Sequence, residues 1–173
     1  MQWKLAGCLL TLLAFGGGGY HLAYCRDEKR RQLVECKSLL FFLRDSIRYG
    51  HESLPNVFSQ IRMKKSNSIM GTFYGNVAAR IRSGDEVLPV IWKEEVDRLS
   101  KNSKMSVEDL DAFADLGNYL GGMDVTAQYD RILFCIERMN ERIETIRQEN
   151  CQKIRLYRLL GVMSGIFVDI LLL

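Results

Sequence analysis

Both ends of this chain are apolar and its middle is charged, a layout that limits what it can fold into more than any motif does. Leu5–Cys25 carries no charged side chain, and Leu159–Leu173 carries only Asp169. At a rise of 1.5 Å per residue, an apolar helix of about 20 residues spans the roughly 30 Å hydrocarbon layer, so the first segment is long enough. The second reaches about 18 residues if its helix starts near Leu156 and Arg155 and Arg158 snorkel to the interface. The sequence therefore predicts an N-terminal transmembrane anchor over 1–25, a helical domain over 26–155 and a C-terminal transmembrane helix over 156–173.

Charge fixes the expected orientation. Arg26, Lys29, Arg30 and Arg31 follow the first segment, and Lys153, Arg155 and Arg158 precede the second, with Lys4 alone on the far side. The positive-inside rule then puts the middle in the cytoplasm and both termini outside. An export signal ending at Cys8 or Cys25 is the rival reading. It is weaker, because Cys8 leaves no room for an apolar region before it and Tyr24 is large where a small residue is wanted.

The net charge of +3, from 24 basic and 21 acidic residues, is too mild to argue for nucleic acid, and the Arg26–Arg31 cluster reads as a topology signal with some attraction to anionic lipid. Five scattered cysteines, never spaced C-x-x-C, argue against a disulfide framework or a zinc site and suit a reducing compartment.

The middle has a helical period throughout. Leu33, Cys36, Leu40, Leu43 and Ile47 line one face of a helix that can end at Gly50. A short helix follows, capped by Ser53, with Pro55 in its first turn and Val57, Phe58 and Ile61 inward. Ile69, Met70, Phe73, Val77 and Ile81 make the next face, closing at Gly84. Trp92, Val96 and Leu99 face inward from a helix over Pro89–Ser100. Ser106 and Asp109 have capping-box spacing ahead of Leu110, Phe113, Leu116 and Leu120, and Gly121-Gly122 ends that helix. From Asp124 onward Ile132, Ile136, Met139, Ile143 and Ile146 alternate four and three, continuing through Ile154 and Tyr157. That is one long helix leading into the last apolar segment, about 75 Å if unbroken. Its seam can be buried in the same bundle, the favoured reading, or can pair two protomers.

Catalytic and metal chemistry find little support. Gly16–Gly19 lacks the Lys-Ser or Lys-Thr of a phosphate loop and sits in an apolar run. His51-Glu52 begins an H-E-x-x-H pattern whose fifth residue is Pro55, and the other histidine, His21, lies in the first apolar segment. Glu94 and Glu95 are adjacent on a helix and read as a solvated face. Gly161 and Gly165 form G-x-x-x-G in an apolar context, a candidate contact between membrane helices. Asp169 either faces a protein partner or reaches the outer interface. No catalytic residue, cofactor site, metal site or small-molecule substrate is expected.

A set of short elements then resembles a known family. They are an N-terminal apolar segment followed by basic residues; Tyr49-Gly50 with Leu54-Pro55 and Val57-Phe58; Arg82-Ser83-Gly84 leading to Trp92; Leu116-Gly117, Leu120-Gly121 and Gln128; and Tyr157, Leu160-Gly161, Gly165 and Ile170–Leu172. In this order and spacing the whole chain resembles the stage III sporulation protein AB family of spore-forming Firmicutes, itself similar to the cytoplasmic domain of type II secretion F platform proteins. Two departures stand out: Asp169 occupies a usually aliphatic position, and Leu54-Pro55 only loosely follows a polar-Pro-Leu order.

The resemblance implies an all-α bundle of about six helices, flanked by transmembrane helices, in the mother-cell membrane around the forespore. It implies a non-enzymatic scaffold of the mother cell to forespore channel. Such a scaffold couples a cytoplasmic secretion-type ATPase, resembling stage III sporulation protein AA, to other sporulation channel membrane proteins. If an acidic ATPase surface docks on the bundle, Arg44, Arg48, Arg62, Lys64, Lys65, Arg80 and Arg82 are the candidate contacts, with a solvated basic face as the alternative. A reading of a different class is a membrane-anchored adaptor or signalling protein that dimerises through the long C-terminal helix.

Overall fold

Prolines and glycines set several of the helix boundaries. A computed structural model describes the backbone of residues 27–172 apart from 50, 51, 85 and 123, and side chains through 149. Six helices and no strand occur among the described residues. Helix α1 covers 27–49. It is followed by α2 (Leu54–Lys64), α3 (Ile69–Ser83), α4 (Leu88–Asn102), α5 (Val107–Leu116) and α6 (Val125–Leu172).

Pro55 and Pro89 occupy the first turns of α2 and α4, where a missing N–H costs nothing and the fixed φ already suits a helix. Gly84 ends α3 in the left-handed region at φ 75°, its N–H returning to the Ile81 carbonyl. The turn after α5 closes at Gly121, φ 80°. Helix starts are less uniform. Ser53 has the extended backbone of a cap, but its side chain makes no capping bond, against expectation. Ser68, by contrast, accepts from the Gly71 N–H at 2.9 Å and caps α3.

Asp27–Ile143 form one compact unit, and α6 continues from Glu144 to Leu172 in a second. Within the first, Leu33, Cys36, Leu40 and Leu43 of α1 are buried, as are Ile132, Cys135, Ile136, Met139 and Ile143 of α6. The α6 seam, as far as Ile143, is therefore filled from within its own bundle. At the centre, Phe58, Phe73, Tyr74, Trp92 and Phe113 form a continuous aromatic cluster with neighbouring ring centroids 5.0 to 6.4 Å apart. The Trp92 Nε1–H donates to the Phe113 carbonyl at 2.7 Å, tying α4 to α5. Three expected core positions differ, the first being Ile47, which is only half-buried near the end of α1. Ile69 is 37% exposed, because the buried stripe of α3 runs Met70, Phe73, Tyr74, Val77, Ala78 and leaves the first helical residue outside it; Ile81, at the other end, is half-buried.

The expected N-terminal anchor, 1–25, lies outside the described residues. The expected C-terminal segment, 156–173, is helical to Leu172, but no described helix is long and apolar enough to cross a membrane. Arg155, Arg158 and Asp169 interrupt the apolar end of α6. Gly161 and Gly165 fall on that helix, and what surrounds them lies outside the described side chains.

Candidate interaction surfaces

The bundle uses most of its basic residues internally. Arg62, at the end of α2, donates to the Ser66 carbonyl at 2.7 Å and to Thr72 Oγ1 at 3.2 Å, closing the turn into α3. Arg82 donates to the Pro55 carbonyl (3.3 Å) and Asn56 Oδ1 (3.2 Å), fastening the end of α3 to the start of α2. Lys64 stands 3.9 Å over the Phe42 ring, and Lys65 pairs with Glu35 at 3.4 Å, so both hold α2 to α1. Arg44 bonds Asp45 and lies over the Phe41 and Tyr129 rings. Arg48 stacks over Tyr129 at 4.9 Å and Tyr49 at 5.3 Å, with no ion pair among the described residues. Of the seven candidates, Arg48 and Lys64 thus meet only aromatic rings among the described residues.

The seventh, Arg80, is the centre of a carboxylate cluster. It binds Glu86, Glu94 at 2.8 Å and Glu95 at 3.3 Å. The bond to Glu94, then those to Glu86 and Glu95, raise its pKa against the opposing effect of desolvation. Glu95 is not the solvated residue that its spacing suggested. It is 2% exposed and receives Asn76 at 3.1 Å and Arg98 at 2.8 Å as well as Arg80. A carboxylate one position from an exposed one still enters the core when three donors converge on it.

Asp109 forms a second buried hub, its side chain 0% exposed. The expected capping geometry is present: its Oδ2 accepts the Ser106 N–H and hydroxyl, each at 2.7 Å. The same carboxylate pairs with Lys29 at 2.5 Å and with Arg142 at 2.7 Å. Burial pushes its pKa up, but Lys29, the Ser106 N–H and hydroxyl, and Arg142 outweigh that and hold it below the ordinary value. One residue joins α5 to α1 and α6. The capping spacing was visible in the sequence; the two distant cations were not.

Cys36 and Cys135 are buried free thiols. Burial raises both, Cys135 to about 12, and each is a poor nucleophile there. No group of His, Cys, Asp and Glu among the described residues is arranged to hold a metal ion.

The sequence model for stage III sporulation protein AB matches residues 4–173. The chain belongs to the stage III sporulation protein AB family. A curated family member from Bacillus subtilis (strain 168) is 19% identical over 170 residues, covering 98% of this chain and 99% of the relative. A solved structure of stage III sporulation protein AB superposes with a TM-score of 0.66 at 18% identity, covering 72% of this chain and 98% of that one. At that identity the likeness establishes the helical fold.

The residues that carry the family pattern are mostly fold-setting. Pro55 starts a helix and Gly84 ends one in the left-handed region. Gly121 packs between Leu54 and Leu88, and its N–H lies 3.5 Å from Gln128 Oε1. Gly117 lies flat against Trp92, where an added Cβ would come within 2.5 Å of the indole. The family signature therefore specifies how the helices meet rather than what the surface touches.

Proposed function

We propose that this protein is a non-enzymatic platform of the mother cell to forespore channel, holding its helical bundle at the cytoplasmic face of the membrane and coupling a secretion-type ATPase to membrane partners. The observation that carries this reading is the family match over residues 4–173, which takes in the apolar ends as well as the bundle. The internal architecture suits the role. A platform must transmit a partner's movement without yielding, and here two buried carboxylate hubs and a continuous aromatic core tie the helices together. Nucleotide hydrolysis belongs to the partner. The adaptor that dimerises through the α6 seam is the weaker alternative, because Ile132, Met139 and Ile143 are already buried in the chain's own bundle.

The test is an affinity pull-down of the tagged full-length protein from detergent-solubilised membranes of sporulating cells, with mass-spectrometric identification. Recovery of a secretion-type ATPase with other channel proteins is expected. Clean bait without an ATPase overturns the coupling role and leaves the family relationship structural.

A further inference from the structure

A cleft of about 350 Å³ opens between the first turns of α1 and the end of α2, lined by Arg30, Arg31, Val34, Glu35, Ser38 and Lys65. On α1, Arg31, Glu35 and Ser38 recur at i, i+4 and i+7, with Arg30 and Val34 alongside, and Lys65 closes the cleft from the C-cap of α2. Its three cations are loosely engaged. Arg30 and Arg31 share one carboxylate, Asp27, at 3.6 and 3.1 Å, and Lys65 stands 3.4 Å from Glu35. These distances exceed the roughly 2.7–2.9 Å of a strong charge-assisted bond, and guanidinium and ammonium groups have more N–H donors than such pairs use. The three side chains are 43%, 71% and 47% exposed. Glu28, one turn before Arg31, accepts instead from Gln32 at 3.3 Å.

We propose that this cleft binds the phosphodiester headgroup of an anionic phospholipid, phosphatidylglycerol being the type it fits. Arg30, Arg31 and Lys65 set against Asp27 and Glu35 leave one positive charge, which a monoanionic diester neutralises and a phosphate dianion overshoots. The guanidinium groups present the planar donor pairs that recognise phosphate oxygens. Glu35 and Ser38 on the same wall can accept from the hydroxyls of a glycerol headgroup, which a choline headgroup lacks. Val34, 40% exposed, offers an apolar wall to the carbons beside the diester, which a free ion does not have. Arg30 and Arg31 come five and six residues after Cys25, so a chain leaving the bilayer there brings them within reach of the headgroups. The proposal rests on the membrane reading given above and goes beyond a general attraction of basic residues to anionic lipid. A basic run acts through its charge alone, whereas this cleft also needs Lys65, from another helix.

Amine acylation, read residue by residue by mass spectrometry, tests this on the full-length protein in nanodiscs of phosphatidylcholine alone or mixed with phosphatidylglycerol. Phosphatidylglycerol slows modification of Lys65 about tenfold, as mass action gives when about nine-tenths of the sites are filled, and leaves the exposed Lys93 and Lys101 of α4 unchanged. Inorganic phosphate added to the phosphatidylcholine discs does not protect Lys65. Arg31→Gln restores its reactivity, whereas Lys37→Gln, which removes an equal charge from the same helix outside the cleft, does not. Melting curves confirm folding; if Arg31→Gln does not fold, Arg30→Gln takes its place. Protection by free phosphate as good as that by the lipid, or equal loss of protection in the two variants, would overturn the proposal, the latter in favour of diffuse attraction. Entry into the discs with Lys65 unprotected by phosphatidylglycerol overturns the site alone. Failure to enter either disc overturns the membrane reading and the lipid assignment together.

Discussion

Asp109 joins three helices through one buried carboxylate, and its behaviour with pH follows from its partners. Its folded pKa lies below the ordinary carboxylate value of 3.8, so its contribution is fully present above that value and is lost as pH falls toward the depressed one. Asp109→Asn is expected to cost about 1–3 kcal/mol at neutral pH, since Lys29 and Arg142 lose a charged acceptor. The gap in Tm between wild type and variant should stay constant above about pH 4 and close below it; a gap that persists undiminished in acid would contradict the assignment. Two glycines give a paired test. Gly117→Ala drives a methyl into the Trp92 ring and should destabilise by about 1–3 kcal/mol. Gly84→Ala meets no atom within 4 Å but strains a left-handed backbone, and should cost about 1 kcal/mol. Chemical denaturation of both variants separates crowding from conformation.

Among the elements, the described helices match the periodicity of the sequence closely, because burial on one face of a helix leaves a 3.6-residue signature that proline and left-handed glycine then punctuate. What was not legible was set by distant partners. Glu95 and Glu94 look alike in sequence, and only the convergence of Asn76, Arg80 and Arg98 draws Glu95 inside. Most of the basic residues read as candidate contacts also bond or stack within their own chain, and nothing in one sequence announces that Lys64 stands over its own Phe42. Cys36 on α1 and Cys135 on α6 face the shared core, which yields a further expectation. Mass-spectrometric mapping after alkylation of the folded protein should find both unmodified, and denaturant should expose both together. Labelling of one without the other would mean that α1 or α6 undocks separately.

At the scale of the molecule, the family pattern was readable because it consists of helix starts, stops and ring contacts, features that one sequence displays in order. Partners and stoichiometry depend on surfaces and leave no such trace. The compact unit should stand by itself. The Asp27–Ile143 fragment is expected to be strongly helical by circular dichroism and to melt in a single cooperative transition. A broad, non-cooperative melt would show that the bundle depends on the residues outside it. The position of the Asp109 hub bears on how such a unit works. Lys29 lies two residues after the unit begins and Arg142 one residue before it ends, and both hold the same carboxylate. The first turn of the unit and its last are therefore fastened to a single carboxylate, so the bundle is closed on itself at its two ends of chain.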